Sequence, residues 1–194
     1  MAAGSISLEE FDKLACKFVR LSEKTNDTWE RKEIPDNHYY LYKKEVKMSI
    51  TEQARQQVEH FKTADNEDDC QLNQTCKECL TYEYHIVYSS SYNVPVLYFN
   101  VYHQNGCLLS LDELWSNIPD IYKDRLLQER WSFLTQQEHP ILGRPYFMLH
   151  PCHTKDLMAQ VSTIQDKHDG NYILGWLSAV GPVVGLQISK ICGM

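Results

Sequence analysis

The sequence has no apolar stretch long enough to cross a membrane and no excess of basic residues. Its longest nearly apolar run, Tyr172 to Leu186, is shorter than the roughly 20 residues of a spanning helix, and Gly181-Pro182 interrupts it. Lys and Arg number 19 against 26 Asp and Glu, which gives a formal net charge of -7. Because such a surface repels a phosphate backbone, general nucleic-acid binding is not expected.

The chain also lacks the features of a secreted or zinc-bound protein. Residues Met1–Ser5 contain no charged region before an apolar stretch and no Gly after Met, so neither secretion nor myristoylation is predicted. The seven cysteines are odd in number and irregularly spaced, which is typical of reduced thiols in the cytoplasm. The C-x-x-C pair Cys76 and Cys79 has Cys70 and His60 nearby but no second such pair, so we predict no metal and no cofactor.

Hydrophobic periodicity predicts an α+β fold in one domain, residues 1–194. A helix over roughly residues 8–23 follows the Ser7–Glu10 capping box. Strands are then predicted over 29–33, 38–50, 82–88 and 94–103, forming a four-stranded antiparallel meander. The remaining predictions are a short helix after Ser110, helical or irregular structure over 120–134, an extended stretch over 146–149, and helices after Thr154 and over 172–180. The polar segment 51–80 is predicted to be a surface insertion.

His150-Pro151-Cys152 is the segment most suited to chemistry. Cys152 stands where the apolar stretch Tyr146 to Leu149 ends and a helix is predicted to begin. The positive end of a helix dipole and its backbone N–H groups favour a thiolate, and the flanking histidines can shuttle a proton. These residues alone equally suit an inert, buried cysteine between two surface histidines.

Other motifs accompany His150-Pro151-Cys152 in a fixed order. They are Tyr82–Ser89, Val94–Phe99, Thr135–Gly143, Tyr172–Ser178 and Gly181–Leu186. In this order they resemble the autophagy conjugating enzymes with a His-Pro-Cys active-site motif, most densely over residues 81–187. The resemblance implies a ubiquitin-conjugating-enzyme-like α+β fold and a catalytic cysteine at Cys152.

The resemblance also implies a reaction and its partners. The modifier, autophagy-related protein twelve, passes as a thioester from the activating enzyme, autophagy-related protein seven, to Cys152. It is then joined to a lysine of the acceptor, autophagy-related protein five. Ubiquitin-type enzymes carry a His-Pro-Asn motif upstream of their cysteine, whereas here Ile141 follows His139-Pro140. The group that stabilises the oxyanion must therefore lie elsewhere, and the candidates are His150, Tyr92, Asn93 and the backbone N–H groups after Cys152.

Three other functions compete with this one. A sister enzyme of the family conjugates a modifier to phosphatidylethanolamine and resembles this chain in its His-Pro-Cys motif. A non-catalytic adaptor with the same fold is a second alternative, against which the retained Cys152 argues. A papain-like protease is the third, but nothing in the chain resembles the segment that carries its cysteine.

Overall fold

The N-terminal helix begins at the predicted capping box. A computed structural model describes residues 4–35, 38–50, 77–127, 133–165 and 171–188. Helix α1 spans Leu8–Lys24. The Ser7 hydroxyl accepts the Glu10 N–H (3.2 Å), and the Glu10 carboxylate accepts the Ser7 N–H (2.8 Å), so both amide groups at the helix end are satisfied. The hydrogen bond from the Ser7 backbone lowers the pKa of Glu10.

Six strands form one sheet in the order β1-β2-β3-β4-β6-β5. Their bounds are β1 Glu30–Ile34, β2 His38–Ile50, β3 Lys77–Ser89, β4 Val94–Tyr102, β5 Leu134–Glu138 and β6 Pro145–Leu149. The first four strands keep chain order, as a meander requires. Antiparallel pairing is seen between β1 and β2, β4 and β6, and β5 and β6.

The predicted α+β fold with a four-stranded meander is confirmed by the order β1-β2-β3-β4, and β6 and β5 extend the sheet to six strands. β6 is the apolar stretch over 146–149, which the sequence predicts to be extended. β5 lies at the sheet edge with residues 136–138 exposed, and it is held by pairing with β6. Because most of its side chains face solvent and need not be apolar, β5 shows no alternation of apolar and polar residues that would predict a strand.

The polar segment 51–80 is only partly described. Strand β3 begins at Lys77, so residues 77–80 belong to the sheet and not to an insertion. Residues 51–76 lie outside the described part of the chain, as do Cys70 and Cys76. The predicted insertion is therefore shortened at its C-terminal end, and the rest of it stays a prediction.

Within the described ranges, four further helices follow strand β4 in the chain. They are α2 Leu111–Asn117, α3 Asp120–Leu127, α4 Thr154–Gln165 and α5 Tyr172–Val180. One-turn 3₁₀ segments precede α4 (Pro151–His153) and follow α5 (Gly181–Val184). Thr154 is the first residue of α4, although the sequence predicts it as the cap. No helix among the described residues is long and apolar enough to cross a membrane.

The two faces of the sheet are covered by different parts of the chain. One face carries the buried cluster Val87, Val96, Tyr98, Tyr146 and Met148. Ile141 and Leu142, from the connection between β5 and β6, pack on this cluster. On the other face, Tyr84 donates a hydrogen bond to the Val184 carbonyl (3.0 Å), and the Phe11 ring of α1 contacts Tyr88 (5.5 Å between centroids). Helix α1 and the 3₁₀ segment after α5 therefore lie on the face opposite this cluster.

The chain divides into two compact units. The first contains Met1–Lys43, Tyr84–Phe99 and Ile118–Met194, and the second contains Lys44–Glu83 and Asn100–Asn117. Cys152 and all its candidate helpers belong to the first unit. The prediction of a single domain over 1–194 stays a prediction.

Candidate active site

The end of β6 places Cys152 at the surface. Residues Tyr146–Leu149 are buried, and the His150 backbone N–H donates to the Phe133 carbonyl (2.9 Å), which extends the pairing with β5 by one bond. The 3₁₀ turn Pro151–His153 follows. In it Pro151 is buried while Cys152 and His153 are exposed. The chain thus turns outward at the cysteine before α4 begins at Thr154.

His150 caps this turn with its side chain. Pro151 restricts the preceding residue to extended backbone, and His150 has φ -66° and ψ 129°. Its ring Nδ1 accepts the Cys152 backbone N–H (3.2 Å). An accepting Nδ1 carries no proton, so the neutral ring holds its proton on Nε2. His150 therefore fixes the backbone of Cys152 and keeps a donor on the opposite side of its ring.

Tyr92 joins this group, whereas Asn93 has a turn role. The Tyr92 ring meets the His150 ring edge-on, with centroids 5.7 Å apart. Asn93 has a left-handed backbone (φ 54°), and its N–H donates to the Ser89 carbonyl (2.8 Å). Its side-chain oxygen lies 3.2 Å from the Tyr88 hydroxyl oxygen. The structure thus brings Cys152, His150 and Tyr92 together, and the role of Asn93 in catalysis stays a prediction.

The backbone candidates for the oxyanion site are partly engaged. Of the N–H groups after Cys152, that of Thr154 donates to the Pro151 carbonyl, and the N–H of Cys152 itself donates to His150. Both bonds belong to the 3₁₀ turn. An oxyanion at Cys152 would have to break them to use these two groups.

A cleft of about 520 Å³ opens beside Cys152. On the α4 side it is lined by His153, Asp156, Leu157 and Gln160, and on the α5 side by Trp176, Ala179, Val180 and Val183. Tyr122, Phe133 and Leu149 also line it. Both helical sets repeat at i, i+3, i+4 and i+7, the spacing of one helix face. The α5 side is wholly apolar, and the α4 side is mixed.

Sequence reasoning missed this cleft for a physical reason. An apolar helix face normally packs against the rest of the protein, so the apolar spacing at Leu157 and Trp176 gives no sign of a cleft. The mixed face of α4 was the available signal, since Asp156 and Gln160 lie beside Leu157 at helical spacing. Spacing alone does not show that α4 and α5 stand far enough apart to leave a cleft.

His139 has a structural role in place of the His-Pro-Asn motif. It is fully buried, and its Nδ1 accepts the N–H groups of Ile141 (3.3 Å) and Leu142 (3.2 Å). Its Nε2 lies 3.1 Å from Nδ1 of the buried His85. Since an Nδ1 that accepts two N–H groups carries no proton, Nε2 of His139 is the donor to His85. The pair thus holds the connection between β5 and β6 that leads to the cysteine.

No metal cluster is formed within the described ranges, where no group of three or more His, Cys, Asp or Glu side chains is arranged to hold an ion. Cys79 is partly buried, and it is the one member of the C-x-x-C pair that the structure describes. Because Cys70 and Cys76 fall outside those ranges, the predicted absence of a metal stays a prediction.

Comparison with known proteins shows the family of this chain. Residues 10–191 match the family described as "Autophagocytosis associated protein, active-site domain". The human ubiquitin-like-conjugating enzyme ATG10 is 38% identical over 200 residues, which cover 94% of this chain and 90% of the human protein. ATG10 of Arabidopsis thaliana is 45% identical over 112 residues, covering 55% of this chain and 50% of the plant protein. ATG10 of Dictyostelium discoideum is 39% identical over 120 residues, covering 56% and 52%. The chain therefore belongs to the autophagocytosis-associated family of ubiquitin-like-conjugating enzymes, a class of transferases, together with ATG10.

Proposed function

We propose that Cys152 carries the modifier autophagy-related protein twelve as a thioester. The observation that carries this proposal is the placement of an exposed cysteine at the mouth of a cleft, in an enzyme of a conjugating family. Among the cysteines of the described residues only Cys107 and Cys152 are exposed, and Cys107 is not among the residues that line this cleft.

The reaction has two transfers. In the first, the Cys152 thiolate attacks the thioester carbonyl of the modifier held by autophagy-related protein seven. A new carbon–sulfur bond forms, and the cysteine of the activating enzyme leaves as a thiolate. In the second, a neutral lysine amine of autophagy-related protein five attacks the Cys152 thioester. An amide bond forms, the Cys152 thiolate leaves, and the amine proton passes to solvent or a nearby base.

His150 and Tyr92 are the proposed helpers of these transfers. With Nδ1 bound to the Cys152 N–H, the neutral His150 ring presents Nε2–H as a donor for the oxyanion. The Tyr92 ring contacts His150 and holds its orientation. Asn93 acts through the backbone of the turn that carries Tyr92. Catalysis then rests mainly on proximity and on stabilisation of the oxyanion, not on a strong base.

The cleft is the proposed site of the modifier's C-terminal residues. A chain joined to Cys152 through its terminal carbonyl must leave the sulfur along the protein surface. The apolar α5 side, with Trp176 and Val180, suits an apolar side chain close to that terminus. The mixed α4 side, with Asp156, faces the same space and suits the cationic acceptor lysine.

The first experiment combines the protein with the activating enzyme, the modifier and ATP, followed by gels with and without thiol. We expect a thiol-sensitive adduct with the unmodified protein and with Cys107→Ala, which removes the other exposed cysteine of the described residues. Cys152→Ala should form none, and Cys152→Ser should form an ester that resists thiol. If Cys152→Ala still forms the thiol-sensitive adduct, the assignment of Cys152 is wrong.

The helpers are tested on the preformed thioester. Removing one oxyanion donor typically costs a factor of about 100 or more in rate, so His150→Ala should slow discharge to free lysine by that order. Tyr92→Ala should slow it less, because it acts through His150. Equal rates in His150→Ala and the unmodified protein would assign the donor to another group.

The same assay separates the alternatives. Discharge to the acceptor protein without lipid supports the proposed reaction, whereas discharge only in the presence of liposomes containing phosphatidylethanolamine supports the sister enzyme. The adaptor alternative is disfavoured by the membership of the chain in an enzyme family. A location in the cytoplasm stays a prediction.

A further inference from the structure

Gly4 packs directly on the helix that follows Cys152. Its backbone is left-handed (φ +79°), and a Cβ at this position would lie 1.9 Å from the Lys155 carbonyl oxygen and 2.8 Å from the Ala159 nitrogen. Only glycine fits so close to the backbone of another element. Lys155 is in the first turn of α4, three residues after Cys152.

The same residue is bound to α5. The Tyr172 hydroxyl donates to the Gly4 carbonyl (2.7 Å). Burial raises the pKa of Tyr172 well above its usual value, so the hydroxyl keeps the proton that this bond needs. Gly4 therefore lies between the first turns of the two helices whose faces line the cleft.

Ile6 binds the turn that carries Tyr92. Its N–H donates to the Asn93 carbonyl (3.0 Å), and its carbonyl accepts from the Tyr88 hydroxyl (3.0 Å). Its side chain is buried. Gly4 and Ile6 thus connect the turn that carries Tyr92 to α4, the helix that begins just after Cys152.

We propose that Gly4–Ile6 form a clamp that positions the active site. The clamp holds the start of α4 on one side and the Tyr92 turn on the other, which sets the distance between Tyr92 and the His150–Cys152 segment. The residues of the clamp act through these elements and touch no substrate. This inference rests on the proposed role of Cys152.

The test compares Gly4→Ala with Gly106→Ala in the full chain. Gly106 has the same kind of backbone (φ +84°), but a Cβ there has no atom within 4 Å among the described residues. Both substitutions place an alanine in a left-handed backbone conformation, which destabilises the folded protein. Only Gly4→Ala also introduces a steric clash with α4. Tyr172→Phe is a milder second variant, because it removes the bond to Gly4 without a clash.

Three measurements are made on each variant: amide hydrogen exchange, discharge of the Cys152 thioester to free lysine, and alkylation of Cys152 relative to Cys107 in the same sample. Small misplacements of reacting groups cost up to about 100-fold in rate, and we expect about 10-fold slower discharge in Gly4→Ala. Exchange should be faster both at residues 90–93 and at the start of α4. Tyr172→Phe should change hydrogen exchange and discharge in the same direction by less, and Gly106→Ala should change neither of these two readouts.

Each result decides the inference. Unchanged exchange at either segment in Gly4→Ala shows that Gly4–Ile6 do not hold the two elements together. Faster exchange at both with unchanged discharge shows a structural role only and overturns the positioning role. If the unmodified protein forms no thioester on Cys152, the proposed function fails by itself. In that case the test uses the rate of Cys152 alkylation relative to that of Cys107. An equal ratio in Gly4→Ala and in the unmodified protein would show that Gly4–Ile6 do not position Cys152.

Discussion

Lys43 and Asp27 form an ion pair that is almost completely buried. The Lys43 ammonium lies 2.6 Å from the Asp27 carboxylate, with side-chain exposures of 5% and 4%. The same Asp27 oxygen accepts the Thr28 N–H (2.8 Å). Both charges have lost most of their water, and the ion pair offsets part of that cost.

Asp27→Ala should therefore destabilise the protein strongly. It removes the carboxylate beside the buried Lys43 ammonium, and breaking a buried ion pair in this way typically costs about 3–5 kcal/mol in the free energy of unfolding. Denaturant-induced unfolding measures it. Glu9→Ala is the matched control, because it removes a carboxylate from the exposed Lys13–Glu9 pair and should leave the midpoint unchanged. Equal midpoints for the two variants would contradict the role of the buried pair.

His103 connects two carboxylates in the second unit. Its Nδ1 lies 2.8 Å from Glu78, and its Nε2 lies 3.3 Å from Glu113. The hydrogen bond with Glu78 raises the pKa of His103 above its usual value of 6.5, against the opposing effect of burial. Folding therefore favours the protonated ring.

The stabilisation from His103 should depend on pH in a defined direction. Because the pKa is raised on folding, the contribution is fully present below the unfolded value and is lost as pH rises through the folded pKa. His103→Gln should thus lose more free energy of unfolding at about pH 6 than at about pH 9. Glu78→Gln should show the same pH trend, and a loss from His103→Gln that grows towards pH 9 would show the wrong sign.

At the scale of elements, Asn171 joins the first helix to the last. Its side-chain oxygen accepts the Ile173 N–H at the start of α5 (2.9 Å), and its amide donates to the Leu14 carbonyl in α1 (2.8 Å). The residue is buried. One side chain thus serves as a helix cap and as a bond between two helices.

The two roles of Asn171 can be separated by substitution. Asn171→Ala loses the cap and the bond to α1, each worth about 1 kcal/mol, so it should lower the free energy of unfolding by about 2 kcal/mol. Asn171→Asp keeps the capping oxygen but cannot donate to Leu14, and buries a carboxylate beside that carbonyl. In Asn171→Asp, the amides at the start of α5 should keep their protection against hydrogen exchange, whereas the amides of α1 should exchange faster. Loss of protection at the start of α5 in Asn171→Asp would refute this division.

At the scale of the whole molecule, the first unit combines a buried sheet with a cleft that opens to solvent. The helices α4 and α5 each give one face to the cleft, and Cys152 stands at its edge. Strand β6 leads directly to Cys152 and is paired with β5. The His139–His85 pair holds the connection between these two strands. Substitutions in the cleft should therefore affect the reaction more than folding.

Leu157→Glu tests the cleft as the site of the modifier's terminus. Leu157 is half-buried and lines the α4 side, so a carboxylate there opposes an apolar ligand and should slow formation of the Cys152 thioester by about 10-fold. Ile121→Glu is the matched control, because Ile121 is exposed on α3 beside the lining residue Tyr122 but does not itself line the cleft. Rates measured by quenched-flow gels should differ between the two variants, and equal rates would place the modifier elsewhere.

The sequence by itself determined the elements with strong local signals. The capping boxes at Ser7 and Ser110 precede α1 and α2, the aromatic and β-branched runs mark the central strands, and the His150-Pro151-Cys152 segment marks the candidate nucleophile. Caps, strand runs and short motifs act over a few residues, so the sequence predicts these elements. Tertiary structure alone decided the edge strand β5, the cleft, the contact of Tyr92 with His150 and the packing of Gly4 on α4. These features join residues far apart in the chain, as Gly4 with Lys155 or Tyr92 with His150. Their geometry depends on how the helices and the sheet pack, which no local pattern encodes.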